Sequence, residues 1–155
     1  MQTNQFLPSP KPSYTLSVLG NKCPRCRRGN LFVNKNAYKL KTVTQMHNSC
    51  PTCGQRTEIE VGFYYGTAYL SYVLTIGFSL IFFALWWLTI GLSVYDNRIY
   101  WWLSINVFLL IVFQPLIMRF SRTLWLYFFV RYNPNWAHQK PDDYERIVEE
   151  HMGNW

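Results

Sequence analysis

Four cysteines stand in two pairs, Cys23-Pro24-Arg25-Cys26 and Cys50-Pro51-Thr52-Cys53, with 23 residues between the pairs. The pattern C-x2-C-x23-C-x2-C suits two thiolate turns closing on one tetrahedral ion. A two-residue spacing lets both sulfurs of a turn reach the same metal. Pro24 and Pro51 stiffen the turns, Gly54 lets the backbone fold around the second pair, and Gly29 is placed to do the same after the first. Zinc is the expected metal, with Cys23, Cys26, Cys50 and Cys53 as ligands. A mononuclear iron site of the rubredoxin kind is the alternative, because thiolates serve iron too. Disulfides are disfavoured in a reducing compartment. Four protein ligands close the site, which argues for structure over catalysis. The bound tetrathiolate would be doubly negative, and Lys22, Arg25, Arg27 and Arg28 are placed to offset it. His47 precedes Cys50 closely enough to replace a sulfur, but reads first as a neighbour of the site or a surface residue.

The elements that must position these thiols are short. Tyr38, Leu40, Thr44 and Met46 share one strand face, with Lys39, Lys41 and Gln45 on the other. Thr57, Ile59 and Val61 alternate with Glu58 and Glu60, which read as solvated. Short strands fit a β zinc ribbon over residues 21–62. A segment of about 40 residues cannot build an adequate apolar core, so the metal should supply folding energy.

Composition divides the 155-residue chain. Apolar residues make up 50%, aromatic residues 19% and charged residues 15%, against about 25% charged in an ordinary soluble domain. Residues 1–60 hold nine Lys or Arg against two acids, which accounts for the whole net charge of +7. No residue from Val61 to Tyr95 carries a charge, and none from Ile99 to Met118 does. A spanning helix needs about 20 mainly apolar residues. The spacing therefore predicts transmembrane helices over residues 66–94 and 99–118, joined by Asp96-Asn97-Arg98 as an antiparallel hairpin. The first, at about 43 Å, exceeds the hydrocarbon core and should tilt. Tyr64, Tyr65, Tyr69 and Tyr72 mark one interface; Trp86, Trp87, Tyr95, Tyr100, Trp101 and Trp102 mark the other.

Both termini of such a hairpin face one side, and the positive-inside rule makes that side cytoplasmic. The expected address is a membrane crossed twice, with the N-terminus and C-terminus cytoplasmic. Residues 1–20 lack an apolar signal-peptide region, carry Pro8, Pro10 and Pro12, and read as a flexible lead-in. Pro115 invites a bend. Arg119 and Arg122 then belong at the headgroups, and residues 119–132 should turn and lie along the interface with Trp125 and Tyr127 as anchors. Residues 133–155 read as a polar acidic tail, with a short helix over 142–151 and surface histidines His138 and His151.

The run Lys22-Cys-Pro-Arg-Cys-Arg-Arg-Gly29, Leu31-Phe32, Met46-His47, Cys50-Pro-x-Cys-Gly54, Glu58-Ile-Glu-Val-Gly-Phe-Tyr-Tyr-Gly66 and Tyr69-Leu-Ser-Tyr72 resembles the domain of unknown function 983 family of small bacterial membrane proteins. The resemblance covers roughly residues 20–130, with ribbon, hinge and hairpin in order. It implies a zinc ribbon with two membrane helices and, by gene association alone, a link to respiratory assembly.

Gly62 and Gly66 read as a hinge. Ala68, Ser71, Thr75 and Ser79 fall on one helix face and should pack against the second span, where Asn106 and Gln114 are the polar groups available for hydrogen bonds across the hairpin. No charge lies inside either span, so no proton relay or ion path is marked. No nucleophile–base or carboxylate pair stands near the membrane face. The fold class expected is thus a membrane α-helical hairpin with a small N-terminal β zinc ribbon. Its expected function is non-enzymatic: to bind or help assemble a larger membrane complex, a respiratory one included. The alternative is a thiolate-metal redox or metal-handling protein. Expected partners are the lipid bilayer, that complex and anionic headgroups beside the basic head, with nucleic acid ranked last.

Overall fold

A computed structural model describes residues 12–91, 93 and 95–141. The lead-in before residue 12 and the acidic helix expected over 142–151 lie outside the described residues.

Two long helices dominate. Helix α2, Thr67–Thr89, is 23 residues, or about 34 Å, close to a hydrocarbon core of about 30 Å. It stops five residues short of the expected Val94. The reason is local: Ile90 and Gly91 donate their N–H groups to Trp86 O and Trp87 O, and Gly91 takes a left-handed φ of 76°, which glycine adopts without strain. Arg98 Nη1 donates to Ile90 O at 2.8 Å and satisfies another helix-end carbonyl. Helix α3, Arg98–Phe129, runs 32 residues through Pro115 without interruption. Both helices are long and apolar enough to cross a membrane. The most apolar stretch of α2 has 0% of its residues buried inside the chain, and that of α3 has 17%. A soluble protein's core helix would be largely covered.

The hairpin closes through small and polar groups. Ser71 donates to Ser121 at 2.8 Å, and Asn106 Nδ2 donates to Ser79 at 3.3 Å. Phe78 meets Phe113 at 5.6 Å and Phe83 meets Trp102 edge-on at 5.1 Å. Gln114, in contrast, is exposed. Gly66 is a close-approach position: an added Cβ would collide with the Trp125 ring. Gly62, with φ 79°, makes the turn into the 3-10 segment Phe63–Gly66 that leads into α2.

Three larger departures from the sequence expectations concern whole elements. First, α3 does not break after Met118. At about 48 Å it is longer than a hydrocarbon core of about 30 Å, and its last three turns continue straight on and pack on the cysteine head. Leu126 is fully buried there beside Phe63, Tyr64 and Val130. Trp125 donates to Phe63 O at 2.9 Å, and Tyr127 stacks edge-on with Tyr14 at 5.4 Å. Both rings pack against the head. Second, residues 14–19 of the lead-in form a helix, α1 (Tyr14–Leu19), with Ser17 and Val18 buried. Third, no strand occurs among the described residues. The antiparallel bridges are isolated: Lys22 with Asn30, Phe32 with Met46, Ser49 with Arg56.

Competition for backbone groups accounts for the missing strand over residues 38–46. Asn34 and Asn36 side chains accept the N–H groups of Asn36 and Tyr38, and Leu40–Thr42 winds into a 3-10 turn. Arg119 captures the carbonyls of Lys35, Asn36 and Val43, and Arg122 takes that of Thr44. Those carbonyls are no longer free to build a ladder.

Candidate metal centre

Each cysteine pair sits in a tight turn closed by the backbone. Arg27 N–H donates to Cys23 O at 2.7 Å, and Gly54 N–H donates to Cys50 O at 2.9 Å. The residue after each second cysteine is left-handed: Arg27 at φ 57° and Gly54 at φ 71°. The two turns are near-copies, one with glycine in the position that needs it and one with arginine. The sequence reading had placed the first turn's special backbone at Gly29. Gly29 has a different role, since an added Cβ there would collide with Cys50 Sγ. The Gly29 N–H points at Cys26 Sγ, 3.5 Å away.

The turns bring all four sulfurs together. Their Sγ atoms lie within 4.8 Å of one another. Cys23 and Cys53 are 3.7 Å apart, and Cys26 and Cys50 are 3.8 Å apart. Four sulfurs about 2.3 Å from a tetrahedral ion would be separated by about 3.8 Å. A disulfide needs about 2.05 Å, and all four cysteines are free. The group could therefore hold a metal ion, with Cys23, Cys26, Cys50 and Cys53 as the four donors. His47 is not in the cluster; its backbone is held between Leu31 O and the Thr57 hydroxyl.

Mutual hydrogen bonds divide the thiols. The bond with Cys23, then those with Cys50 and Cys53, hold Cys26 well below the usual thiol range. Cys50 is pulled down to about 6, chiefly by Cys23. Cys23 is raised, by its bond with Cys26 first and by Cys50, Cys53 and burial after it. Cys53 feels a lowering pull from Cys23, but Cys26, Cys50 and burial together raise it. The four thiols thus titrate as one group, and a cation in their midst would favour the thiolate at all four.

The basic residues near the first turn do more than offset charge. Arg25 is buried and reaches Cys53 O at 3.1 Å, then Gln139 O at 2.6 Å and Lys140 O at 2.9 Å. It ties the second turn to the segment after α3, whose Asn133 N–H returns to Arg25 O. Arg27 donates to Pro12 O and lies over the Tyr132 ring at 4.5 Å. Lys22 is bonded to Asn30 Oδ1 at 2.6 Å. Glu58 is buried, contrary to the solvated strand position expected of it, and interacts electrostatically with Arg122 and Tyr64. In the sequence this clamp shows only as two arginines directly after an uncharged run.

Fold and site together define a class: an apolar two-helix hairpin carrying a four-cysteine cluster against the extended end of its second helix. The chain belongs to the family described as "Protein of unknown function (DUF983)", which matches residues 40–129. That stretch holds Cys50, Cys53 and both long helices, while Cys23 and Cys26 precede it. No curated protein and no solved structure matches the chain.

Proposed function

We propose that this protein is a non-enzymatic inner-membrane protein whose four thiolates hold a structural zinc ion. The zinc-bound head would present a cytoplasmic surface, and the hairpin would dock beside a larger membrane complex or help assemble one. The observation that carries the reading is the closed sulfur tetrad, with Cys23 and Cys26 fully buried. Nothing but sulfur is supplied to the ion, so no coordination position is left for substrate. When bound, zinc supplies a cross-link between two chain segments. The chain's own residues then do the positioning: Arg25 joins the second turn to the segment after α3, and Leu126 and Val130 give the turns an apolar floor. The outward faces of the helices expose Leu80, Ile81, Leu88, Phe108 and Ile111, surface available to lipid and to a neighbour's helices.

Purification at native expression in mild detergent tests both halves. The expected result is colourless protein with one zinc per chain and a stoichiometric co-eluting membrane protein. Red, iron-loaded protein would move the reading to electron transfer. Absence of any stoichiometric partner would remove the assembly role. Labelling of the head from outside intact cells would overturn the cytoplasmic placement.

A further inference from the structure

A second site lies away from the sulfurs. A cavity of about 280 Å³ is lined by Lys22, Lys35 and Arg119 together with Asn21, Asn34 and Phe32. That volume is near the lower end of small-ligand sites, about 300 Å³. Its lining holds three basic side chains and no acidic one. Arg119 is only 3% exposed. Of its five N–H donors, three are spent on the Val43, Lys35 and Asn36 carbonyls, groups that carry no charge to balance its own. Lys22 spends one donor on Asn30.

The depth of the cavity is set by the chain. Arg119 is the first charged residue after the uncharged run Ile99–Met118. The next turn of α3 is pinned by Ser121 to Ser71 in the second turn of α2, where Tyr69 and Tyr72 point outward. In a bilayer this is headgroup level. We propose that the cavity binds the phosphate of an anionic phospholipid, with Lys22 and Lys35 as its cationic contacts and Arg119 as the fixed charge behind them. The inference rests on the membrane reading above, and it adds a specific lipid site to it.

Native mass spectrometry of the full chain in mild detergent, with equal phosphatidylglycerol and phosphatidylcholine, reads it out. Phosphatidylglycerol should be retained preferentially. The double variant K22Q/K35Q should lose retention by about thirty-fold, from about fivefold for each lysine at an anionic surface. The control K39Q/K41Q changes net charge equally but lies off the cavity, and it should retain lipid as the wild type does. Metal content and helical circular dichroism should be unchanged in both, which separates binding from folding. Equal retention of the two lipids, an unaffected K22Q/K35Q, or an equal loss in K39Q/K41Q would overturn the site. Displacement of the lipid by millimolar inorganic phosphate would assign the cavity to a soluble anion instead. Resistance to alkaline carbonate extraction tests the membrane reading separately: an integral protein without lipid selectivity would sink the cavity alone.

Discussion

Replacing Arg119 with methionine keeps an apolar stem of similar length and removes the guanidinium. Three bonds are lost, to Val43 O at 2.9 Å, Lys35 O at 3.1 Å and Asn36 O at 2.9 Å. A hydrogen bond to a charged group contributes about 1.5–3 kcal/mol net, and a buried polar atom left unpaired costs about 1–3 kcal/mol. Val43 is buried, whereas Lys35 and Asn36 are exposed, so water replaces the donor at the last two. A loss of about 2 kcal/mol at Val43 and about 0.5 kcal/mol at each of the others gives about 3 kcal/mol. The contact of the guanidinium with the Phe32 ring, at 4.8 Å, is partly recovered by the methionine sulfur. The helices do not depend on this clamp, so the loss should appear as local opening of residues 33–44. An opening penalty lowered by about 3 kcal/mol speeds amide exchange there by about a hundredfold. Hydrogen exchange read by mass spectrometry on the full chain is the assay, with α2 peptides as the internal reference. Arg119→Lys should fall between, since it keeps the charge and loses the fork. Unchanged exchange over 33–44 in Arg119→Met would refute the clamp.

Other perturbations separate the remaining parts. Chelation of the metal should leave far-UV circular dichroism nearly intact, because α2 and α3 hold most of the helix, while amides of residues 21–59 lose protection; a head still protected after complete removal would contradict a metal-dependent fold. Gly29→Ala should reduce bound metal severalfold at fixed chelator, because its Cβ meets Cys50 Sγ; metal retained at the wild-type level would show that the turns can move apart. Leu126→Ala, at a fully buried site, should cost about 2–5 kcal/mol, measured as faster exchange in both the head and the end of α3. Gly66→Leu should overpack the Trp125 contact by about 1–3 kcal/mol and lower the thermal midpoint in detergent.

What the sequence disclosed and what it hid follow from the range of the forces involved. The hairpin was legible because the absence of charge over two long runs is a local, additive property. The cysteine tetrad was legible because a metal's demand for spacing is also local. The end of α3 was not. Arg119 and Arg122 mark the end of the apolar run, but nothing in the pattern says what their guanidinium groups meet. Their actual partners are carbonyls about 80 positions earlier, a pairing that no periodicity encodes. Glu58 failed for the same reason: alternation with Thr57 and Ile59 suggested a solvent face, and burial beside Arg122 overrode it. Once those arginines claim the carbonyls of Lys35, Asn36, Val43 and Thr44, the strand expected there loses acceptors.

The length of α3 and the poverty of the head are two sides of one solution. A head with isolated bridges and no strand has too little regular structure to organise its own core. Three of its cysteines are themselves core residues, alongside Leu31 and Phe32. The missing apolar partners, Leu126 and Val130, come from the far end of the second long helix and the residue just after it, while Phe63 and Tyr64 come from the entry to the first. The metal turns and the hairpin therefore share one core and cannot be treated as a tethered domain on a flexible stalk. A rigid joint of this kind transmits any tilt or displacement of the helices directly to the cysteine turns.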